Sequence, residues 1–262
     1  MIQETPKDVP SPWTAALFAV PGIPLIQKGD DLAAVISDKA EASGFRLADR
    51  DVVVVASKIV SKAEGLIVCL DDVTPTPRAL ELSEATGRDP RLCELILRES
   101  AEVLGTNGRM IITRHRLGFR CTNAGVDRSN VSSQYDDFAI TLPADPDASA
   151  RAIRQGIFAR ARRRVAVVIS DSFGLPDRAG AVSLAIGIAG IRPLEERESE
   201  DLYGRPMHSA LMLVDALAGA AAVLMGETDE ALPVVVIRGA RYTEDDEALI
   251  GGLLVPAAEQ GR

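Results

Sequence analysis

The chain has 262 residues, and its 29 Lys and Arg against 38 Asp and Glu give a formal net charge of −9 at pH 7. Hydrophobic residues make up 47% of the sequence, which is enough for a large core and excludes a disordered chain or a collagen-like repeat. Because the net negative charge repels a polyphosphate backbone, we expect small-molecule substrates and no nucleic-acid partner.

Cysteine use and the N-terminus predict a cytoplasmic protein. Cys69, Cys93 and Cys121 are far apart in the sequence and form no metal-binding pair, as is usual for free thiols in a reducing compartment. Residues 1–12 contain prolines and charges, so we expect a flexible N-terminal segment and no secretory signal. No stretch of about 20 uninterrupted apolar residues occurs, and we therefore expect no membrane span.

The predicted secondary structure mixes short buried strands with amphipathic helices. In chain order we predict a helix over Asp31–Ala42, strands over Val52–Val55 and Leu66–Leu70, helices over Arg78–Thr86 and Pro90–Val103, a strand over Met110–Thr113, a helix over Ala148–Arg163, a strand over Val165–Ile169, a helix over Ser209–Met225 and a strand over Val234–Ile237.

The order of these elements argues against a simple doubly wound sheet. No helix is predicted between the strands Val52–Val55 and Leu66–Leu70, so strands and helices do not alternate regularly. No internal repeat or flexible linker divides the chain. The sequence predicts an α/β fold with mixed α+β sheets. We expect a single domain over residues 13–262, which is long enough to be divided into two lobes.

Two segments carry acidic residues where a metal ion could bind. GFRCTNAGVDRSN, residues 118–130, is dense in small polar groups around Asp127, and an ionised aspartate is a hard oxygen ligand suited to Mg²⁺ or Mn²⁺. VAVVISDSFG, residues 165–174, predicts a buried strand that ends in Asp171 and Ser172, where a metal-bound phosphate could reach them. The alternatives are an Asx-type turn around Asp127 and a capping turn at Asp171.

Two further segments suit a nucleotide. In DVVVVASKIVSKAEG, residues 51–65, Lys58 and Lys62 are four residues apart beside Ser57, so on a helical turn both lysines would face a polyphosphate. The glycine spacing of a P-loop is absent, and two solvated surface lysines are the alternative. PGIPLIQKGDDL, residues 21–32, is either a proline-stiffened turn whose amides bind a base or a phosphate, or a rigid connector.

The two histidines, His115 and His208, form no recognisable motif with a Ser or Cys. A hydrolytic triad and a zinc site are therefore not predicted, and we expect both histidines to be structural or surface residues. No catalytic nucleophile is assigned from the sequence.

The order of these segments resembles the coenzyme F420-0:L-glutamate ligase family. The resemblance spans about residues 20–240 and is carried in succession by GIPLIQKGDDLA, DVVVVASKIVSKAEG, GRDPRLCELILRES, GFRCTNAGVDRSN, LPADPDASARAIR, VAVVISDSFG, AIGIAGI and VLMGE. Members of that family join L-glutamate to a carboxylate of the deazaflavin cofactor precursor with GTP and a divalent metal. The resemblance implies an unusual α/β fold that forms an intertwined homodimer.

The resemblance also implies roles for particular residues. The guanine-nucleotide contacts correspond to Ile23, Pro24, Leu25, Ile26, Ser57, Lys62 and Asn130. The metal ligands correspond to Asp127, Asp171 and Ser172, where Ser172 replaces the family's usual threonine and keeps its hydroxyl. The implied reaction transfers the γ-phosphate of GTP to the acceptor carboxylate, and glutamate then displaces phosphate from the acyl phosphate.

The sequence departs from the family's pattern on the expected acceptor side. Where the family tends to read GRPWRxGQ, this chain reads GLPDRAGA over residues 174–181. Leu175 in place of a cation and the additional carboxylate of Asp177 would weaken the attraction for an anionic acceptor. The hypotheses are a ligase acting on coenzyme F420-0, the same ligase chemistry on a different carboxylate, and a non-catalytic nucleotide-binding relative.

Overall fold

The structure, a computed structural model, describes residues 14–131, 137–175 and 178–254, so the expected flexible segment 1–12 lies outside the described residues. The helices within these ranges are α1 (Leu32–Ala42), α2 (Ser57–Glu64), α3 (Pro77–Thr86), α4 (Pro90–Glu99), α5 (Pro146–Ala161) and α6 (Leu213–Met225). The strands are β1 (Ala16–Ala19), β2 (Val52–Ala56), β3 (Ile67–Cys69), β4 (Ser100–Asn107), β5 (Met110–His115), β6 (Arg120–Thr122), β7 (Phe138–Ile140), β8 (Ala166–Gly174), β9 (Ala181–Ala189), β10 (Leu194–Glu200), β11 (Pro206–Met212) and β12 (Val234–Arg238).

A mixed sheet in the order β1-β12-β2-β8-β9 forms the centre of the fold. The strands β2, β8 and β12 carry long apolar runs because helices cover both faces of the sheet. On one face α1 and α5 pack through Ile36 and Ile157, and on the other α6 packs through Val214 and Leu217. Strands β2 and β8 are parallel, whereas the other neighbours are antiparallel. The predicted α/β fold with mixed sheets is therefore confirmed.

A separate apolar core lies beside this sheet. It is formed largely by α3, α4 and the sheet β4-β5-β6, and its buried residues include Leu82, Ile96 and Ile111. A further pair of strands, β3 and β7, connects this region to the loop that carries Asp127, since Asp127 forms a β-bridge with Ile140. Division of the chain into two lobes stays a prediction.

Three details of the predicted secondary structure were wrong. Helix α2 lies between β2 and β3, where the sequence predicts no helix. Its eight residues are too few to give a clear periodic pattern. Helix α4 ends at Glu99 rather than Val103, since the next residues pair with β5 as strand β4. Helix α6 begins at Leu213 rather than Ser209, since the preceding residues pair with β10 as strand β11.

The ribbon formed by β10 and β11 carries an exposed apolar surface. Its turn contains Leu202 and Tyr203, which are 93% and 87% exposed, and Met207 and Leu211 on β11 are exposed as well. A two-stranded ribbon is at best marginally stable in water without a further contact. Within the described ranges, none of the helices combines the length and the apolar character needed to cross a bilayer.

Candidate functional site

A cavity of about 1110 Å³ opens at the carboxyl ends of the parallel strands β2 and β8. In α/β sheets this edge is the usual position for a ligand. Every residue to which the sequence assigned a nucleotide or metal contact lies on its wall: Ile23, Pro24, Leu25, Ile26, Ser57, Lys62, Asp127, Asn130, Asp171 and Ser172. The structure thus brings these residues together, and their individual roles stay predictions.

The register between β2 and β8 places Ser57 beside Asp171. Ala56 pairs with Ser170 in the parallel ladder, so the next residue on each segment reaches the cavity at the same level. The Ser57 hydroxyl donates a hydrogen bond to Asp171 Oδ1. The edge of the central sheet therefore holds this carboxyl group in a defined position.

The surroundings of Asp171 disfavour its charged form. Burial raises the pKa of Asp171 to about 7, and the carboxylates of Asp127 and Glu227 act in the same direction, against the hydrogen bond from Ser57 and the charge of Lys58. A carboxyl group with a pKa near neutrality in a cavity is typical of functional sites. A bound cation would favour ionisation of this group.

Asp127 lies on the loop that follows β6, and its side chain is surrounded by donors. Oδ1 accepts hydrogen bonds from the backbone N–H groups of Arg128 and Ser129 at 2.6 and 2.9 Å, which is the Asx-type turn expected as the alternative. Oδ2 accepts from Lys58 Nζ at 2.6 Å. Although burial opposes ionisation, Lys58 and the donors from Ser129 hold the pKa of Asp127 below its usual value. Asp127 therefore forms an Asx-type turn and lines the cavity at the same time.

Ser172 is paired with a residue to which sequence reasoning gave no role. The Ser172 hydroxyl donates to Oε1 of Glu227 at 2.8 Å and lies 3.1 Å from the hydroxyl of Ser183 on β9. Glu227 also lines the cavity. Its position just after a helix was readable from the VLMGE segment, but nothing in the sequence indicated that the chain returns there to the edge of the sheet.

Lys62 and Asn130 link three segments of the cavity wall. Lys62 Nζ donates to the backbone oxygen of Asn130 at 2.6 Å, and Asn130 Nδ2 donates to the backbone oxygen of Thr228 at 2.9 Å. Burial lowers the pKa of Lys62, and the charge of Lys58 adds to this effect. Both lysines line the cavity from α2, as their spacing predicted, so they are not simply solvated surface residues.

The turn Ile23–Ile26 supplies an apolar part of the cavity wall. It is anchored to α2 nearby, since the backbone N–H of Gly29 donates to the oxygen of Ala63 at 2.8 Å. Ile26 is buried, whereas Leu25 is 83% exposed beside the cavity. An exposed apolar side chain at a fixed turn is suited to contact the face of a base, which is consistent with the role assigned from the sequence.

The donor set in the cavity fits a hard divalent cation. No three His, Cys, Asp or Glu side chains within residues 14–131, 137–175 and 178–254 come together at a spacing that could hold a metal. Asp127 and Asp171 instead supply two carboxylates, and Ser172 supplies a hydroxyl. Mg²⁺ is commonly bound by one or two carboxylates together with substrate phosphates and water. These residues therefore suit a metal ion that is shared with a bound nucleotide.

The two histidines, both among the described residues, lie away from this wall. His115 is fully buried and stacks on Phe119, with ring centroids 5.1 Å apart. Its Nδ1 accepts a hydrogen bond from the backbone N–H of Leu117 at 3.0 Å, and burial lowers the pKa of His115 to about 4. His208 lies on the exposed strand β11. His115 is therefore a neutral core residue.

A protein-family model described as F420-0:Gamma-glutamyl ligase matches residues 22–239, most of the chain. The match defines this α/β protein as an enzyme of the amide-bond-forming amino-acid ligase class. The chain belongs to this family.

Similar proteins from several organisms carry the same name. Coenzyme F420:L-glutamate ligase of Methanothermobacter thermautotrophicus is 45% identical over 226 residues, which cover 86% of this chain and 88% of the relative. The proteins of that name from Methanopyrus kandleri and Methanocaldococcus jannaschii are each 43% identical. Their matches cover 82% of both chains for the first, and 75% of this chain and 78% of the relative for the second. The family resemblance stated from the sequence is confirmed.

Proposed function

We propose that this chain is a coenzyme F420-0:L-glutamate ligase that uses GTP as a substrate and Mg²⁺ or Mn²⁺ as its metal ion. Membership of the glutamyl ligase family and the names of the similar proteins support the choice of glutamate and the coenzyme precursor. The observation that carries the proposal is the convergence of Lys62, Asp127, Asp171 and Ser172 on one cavity. Cations for a polyphosphate and hard ligands for a divalent metal lie there side by side.

The proposed reaction makes the acceptor carboxylate reactive before the amide forms. A carboxylate oxygen attacks the γ-phosphorus of GTP, the bond to the bridging oxygen breaks, and GDP leaves. The amine of glutamate then attacks the carbonyl carbon of the acyl phosphate. The carbon–oxygen bond to phosphate breaks, inorganic phosphate leaves, and the amine releases a proton to solvent. All bonds are exchanged between substrates, so no nucleophile from the enzyme is needed.

The cavity residues would position the substrates and balance their charge. Lys62 would face the phosphates, where its ammonium group offsets the charge that develops during transfer. Asp127, Asp171 and Ser172 would hold the metal ion, which when bound supplies positive charge to the phosphate oxygens. The remaining nucleotide contacts would come from Ile23, Pro24, Leu25, Ile26, Ser57 and Asn130.

We further propose that the protein is a cytoplasmic homodimer. The β10-β11 ribbon supports this, because Leu202, Tyr203, Met207 and Leu211 expose apolar surface that a second copy could cover. Light scattering after size exclusion should give twice the mass of the chain, and an unchanged monomer mass at micromolar concentration would contradict the proposal.

The same chemistry on a different carboxylate is the second candidate function. Ala181 lines the cavity where the family pattern has glutamine, so this part of the wall carries a methyl group in place of a polar side chain. Asp177, which was expected to repel an anionic acceptor, lies outside the described residues.

Product analysis tests these proposals directly. The chain is incubated with GTP, Mn²⁺, L-glutamate and coenzyme F420-0, and mass spectrometry should detect GDP, phosphate and the acceptor extended by one glutamyl residue. Asp127→Asn, a neutral variant of similar shape, is the matched control and should give no product. A product with another carboxylate but none with F420-0 would favour the second candidate. GTP binding without any amide product would instead indicate a non-catalytic relative.

A further inference from the structure

Lys58 contacts one of the two carboxylates to which metal binding is proposed, and its charge acts on the other. Its Nζ donates to Asp127 Oδ2 at 2.6 Å and to the hydroxyl of Ser129 at 2.9 Å. Its charge also favours the ionised form of Asp171. The side chain is 27% exposed, so the ammonium group is partly shielded from solvent. The ammonium group of Lys58 therefore binds the carboxylate of Asp127 and acts electrostatically on that of Asp171.

The oxygens of Asp127 have little room for another ligand. Oδ1 accepts from two backbone N–H groups, and Oδ2 accepts from Lys58 and from the Ser129 hydroxyl at 2.7 Å. A carboxylate offers about four lone-pair positions, so a metal ion can coordinate Asp127 only if a donor leaves. The backbone donors are fixed by the turn. The Lys58 side chain is long and flexible, and it is the donor that can move furthest.

We propose that Lys58 is an internal counter-cation that occupies the metal position at Asp127 and leaves it when a divalent ion binds. This inference rests on the proposed function, because it assumes a metal site at Asp127 and Asp171. An ammonium group and a divalent ion repel each other strongly at one partly buried carboxylate, so they occupy it in turn. Lys58 is then a positioning residue, which keeps Asp127 charged and aligned until the metal arrives.

The position of Lys62 gives the exchange a second consequence. Lys62 lies one turn along α2 on the same face. Burial and the charge of Lys58 both disfavour the charged form of Lys62. Lys58 released from Asp127 therefore needs an anionic partner, which the phosphates of a bound nucleotide would supply. Metal and nucleotide should consequently bind cooperatively, each increasing the affinity of the other by the same factor.

Calorimetric titration with Mn²⁺ alone tests the exchange without relying on turnover. Lys58→Met and Lys58→Gln should each bind Mn²⁺ about tenfold more tightly than the unmodified chain, because no internal cation competes for Asp127. Arg46→Met is the charge-matched control, since Arg46 is 86% exposed and lies outside the cavity wall, and it should change the affinity less than about twofold. The factor by which GTP increases Mn²⁺ affinity should be smaller in both Lys58 variants.

The possible outcomes separate this inference from the proposed function. If the unmodified chain binds Mn²⁺ and the correctly folded Lys58 variants bind it equally or more weakly, the counter-cation role is wrong and the metal site stands. A uniform gain in all three variants, Arg46→Met included, would reduce the effect to net charge and also overturn the inference. If neither the unmodified chain nor the variants bind Mn²⁺ with or without GTP, the proposed metal dependence itself is refuted, together with the role of Lys58.

Discussion

Replacing Asp171 by asparagine should abolish ligase activity and at the same time stabilise the metal-free fold at pH 8. The pKa of Asp171 is about 7 in the folded chain, against a reference value of 3.8. Between these values the folded chain keeps a proton that the unfolded chain has lost, so the free energy of unfolding falls as the pH rises from about 4 to about 7. The difference between these two pKa values corresponds to about 4 kcal/mol in the free energy of unfolding, all of which is lost above pH 7.

Asparagine has nearly the shape of aspartate, can accept the hydrogen bond from Ser57 and carries no charge. Urea unfolding at pH 5 and pH 8 without metal should show that the variant gains about 3 kcal/mol over the unmodified chain on going to the higher pH, because only the part of the loss between pH 5 and pH 7 falls within this range. Asp72→Asn, at an exposed aspartate, is the control and should leave the pH dependence unchanged. Mn²⁺ with GTP should stabilise the unmodified chain but much less the Asp171→Asn variant.

A stability difference that is the same at pH 5 and pH 8 would refute this account of Asp171. The carboxyl group would then titrate alike in the folded and unfolded chains. Retained amide formation in the variant would refute its assignment as a metal ligand. The expected combination, a more stable but inactive protein, is typical of a residue that is retained for its chemistry rather than for folding.

Two further predictions concern groups outside the cavity. Arg238→Met should lower the free energy of unfolding by about 3 kcal/mol in urea, because Asp51, only 1% exposed, would lose two hydrogen bonds of 2.7 and 2.8 Å and remain as an unpaired buried charge. Arg46→Met should change it by less than about 0.5 kcal/mol, and equal losses in both variants would contradict the role of the pair. His115→Phe should reduce the acid sensitivity of folding. The pKa of His115 is about 4 in the folded chain, against a reference value of 6.5. The stability that neutral His115 contributes is therefore complete above pH 6.5 and is lost as the pH falls towards 4. Between pH 7 and pH 5 the unmodified chain should lose about 2 kcal/mol more than the variant, and parallel losses would show that His115 titrates normally.

Sequence patterns predicted the central sheet better than the short or exposed elements. Val52–Val55 and Val234–Ile237 were recognisable because strands covered on both faces are apolar throughout. Helix α2 has only eight residues, too few for a periodic pattern to predict it, although the four-residue spacing of its two lysines is compatible with a helix. The predicted helix Ser209–Met225 includes the second half of strand β11. The residues of β11 are all exposed and show no alternating pattern that would indicate a strand.

The cavity residues were assigned from the order of recognisable segments, whereas their contacts were not. Lys58 and Asp127 are 69 residues apart in the chain, and Ser172 and Glu227 are 55 apart. Such pairs depend on the register of β2 against β8 and on the path of loops, which no local pattern encodes. The sequence therefore predicted which residues meet, but not that a lysine neutralises one aspartate or that a glutamate accepts from the serine.

The wall of the cavity is formed partly by the ends of strands and partly by loops, and this difference bears on how the enzyme can diversify. Ser57 and Asp171 sit at the ends of two paired strands, whereas Leu25, Asn130 and Thr228 belong to irregular connections. Loops tolerate substitution far better than the interior of a sheet. Changes in these loops can therefore alter which acceptor binds, while the residues of the proposed phosphoryl transfer would stay fixed at the ends of the strands.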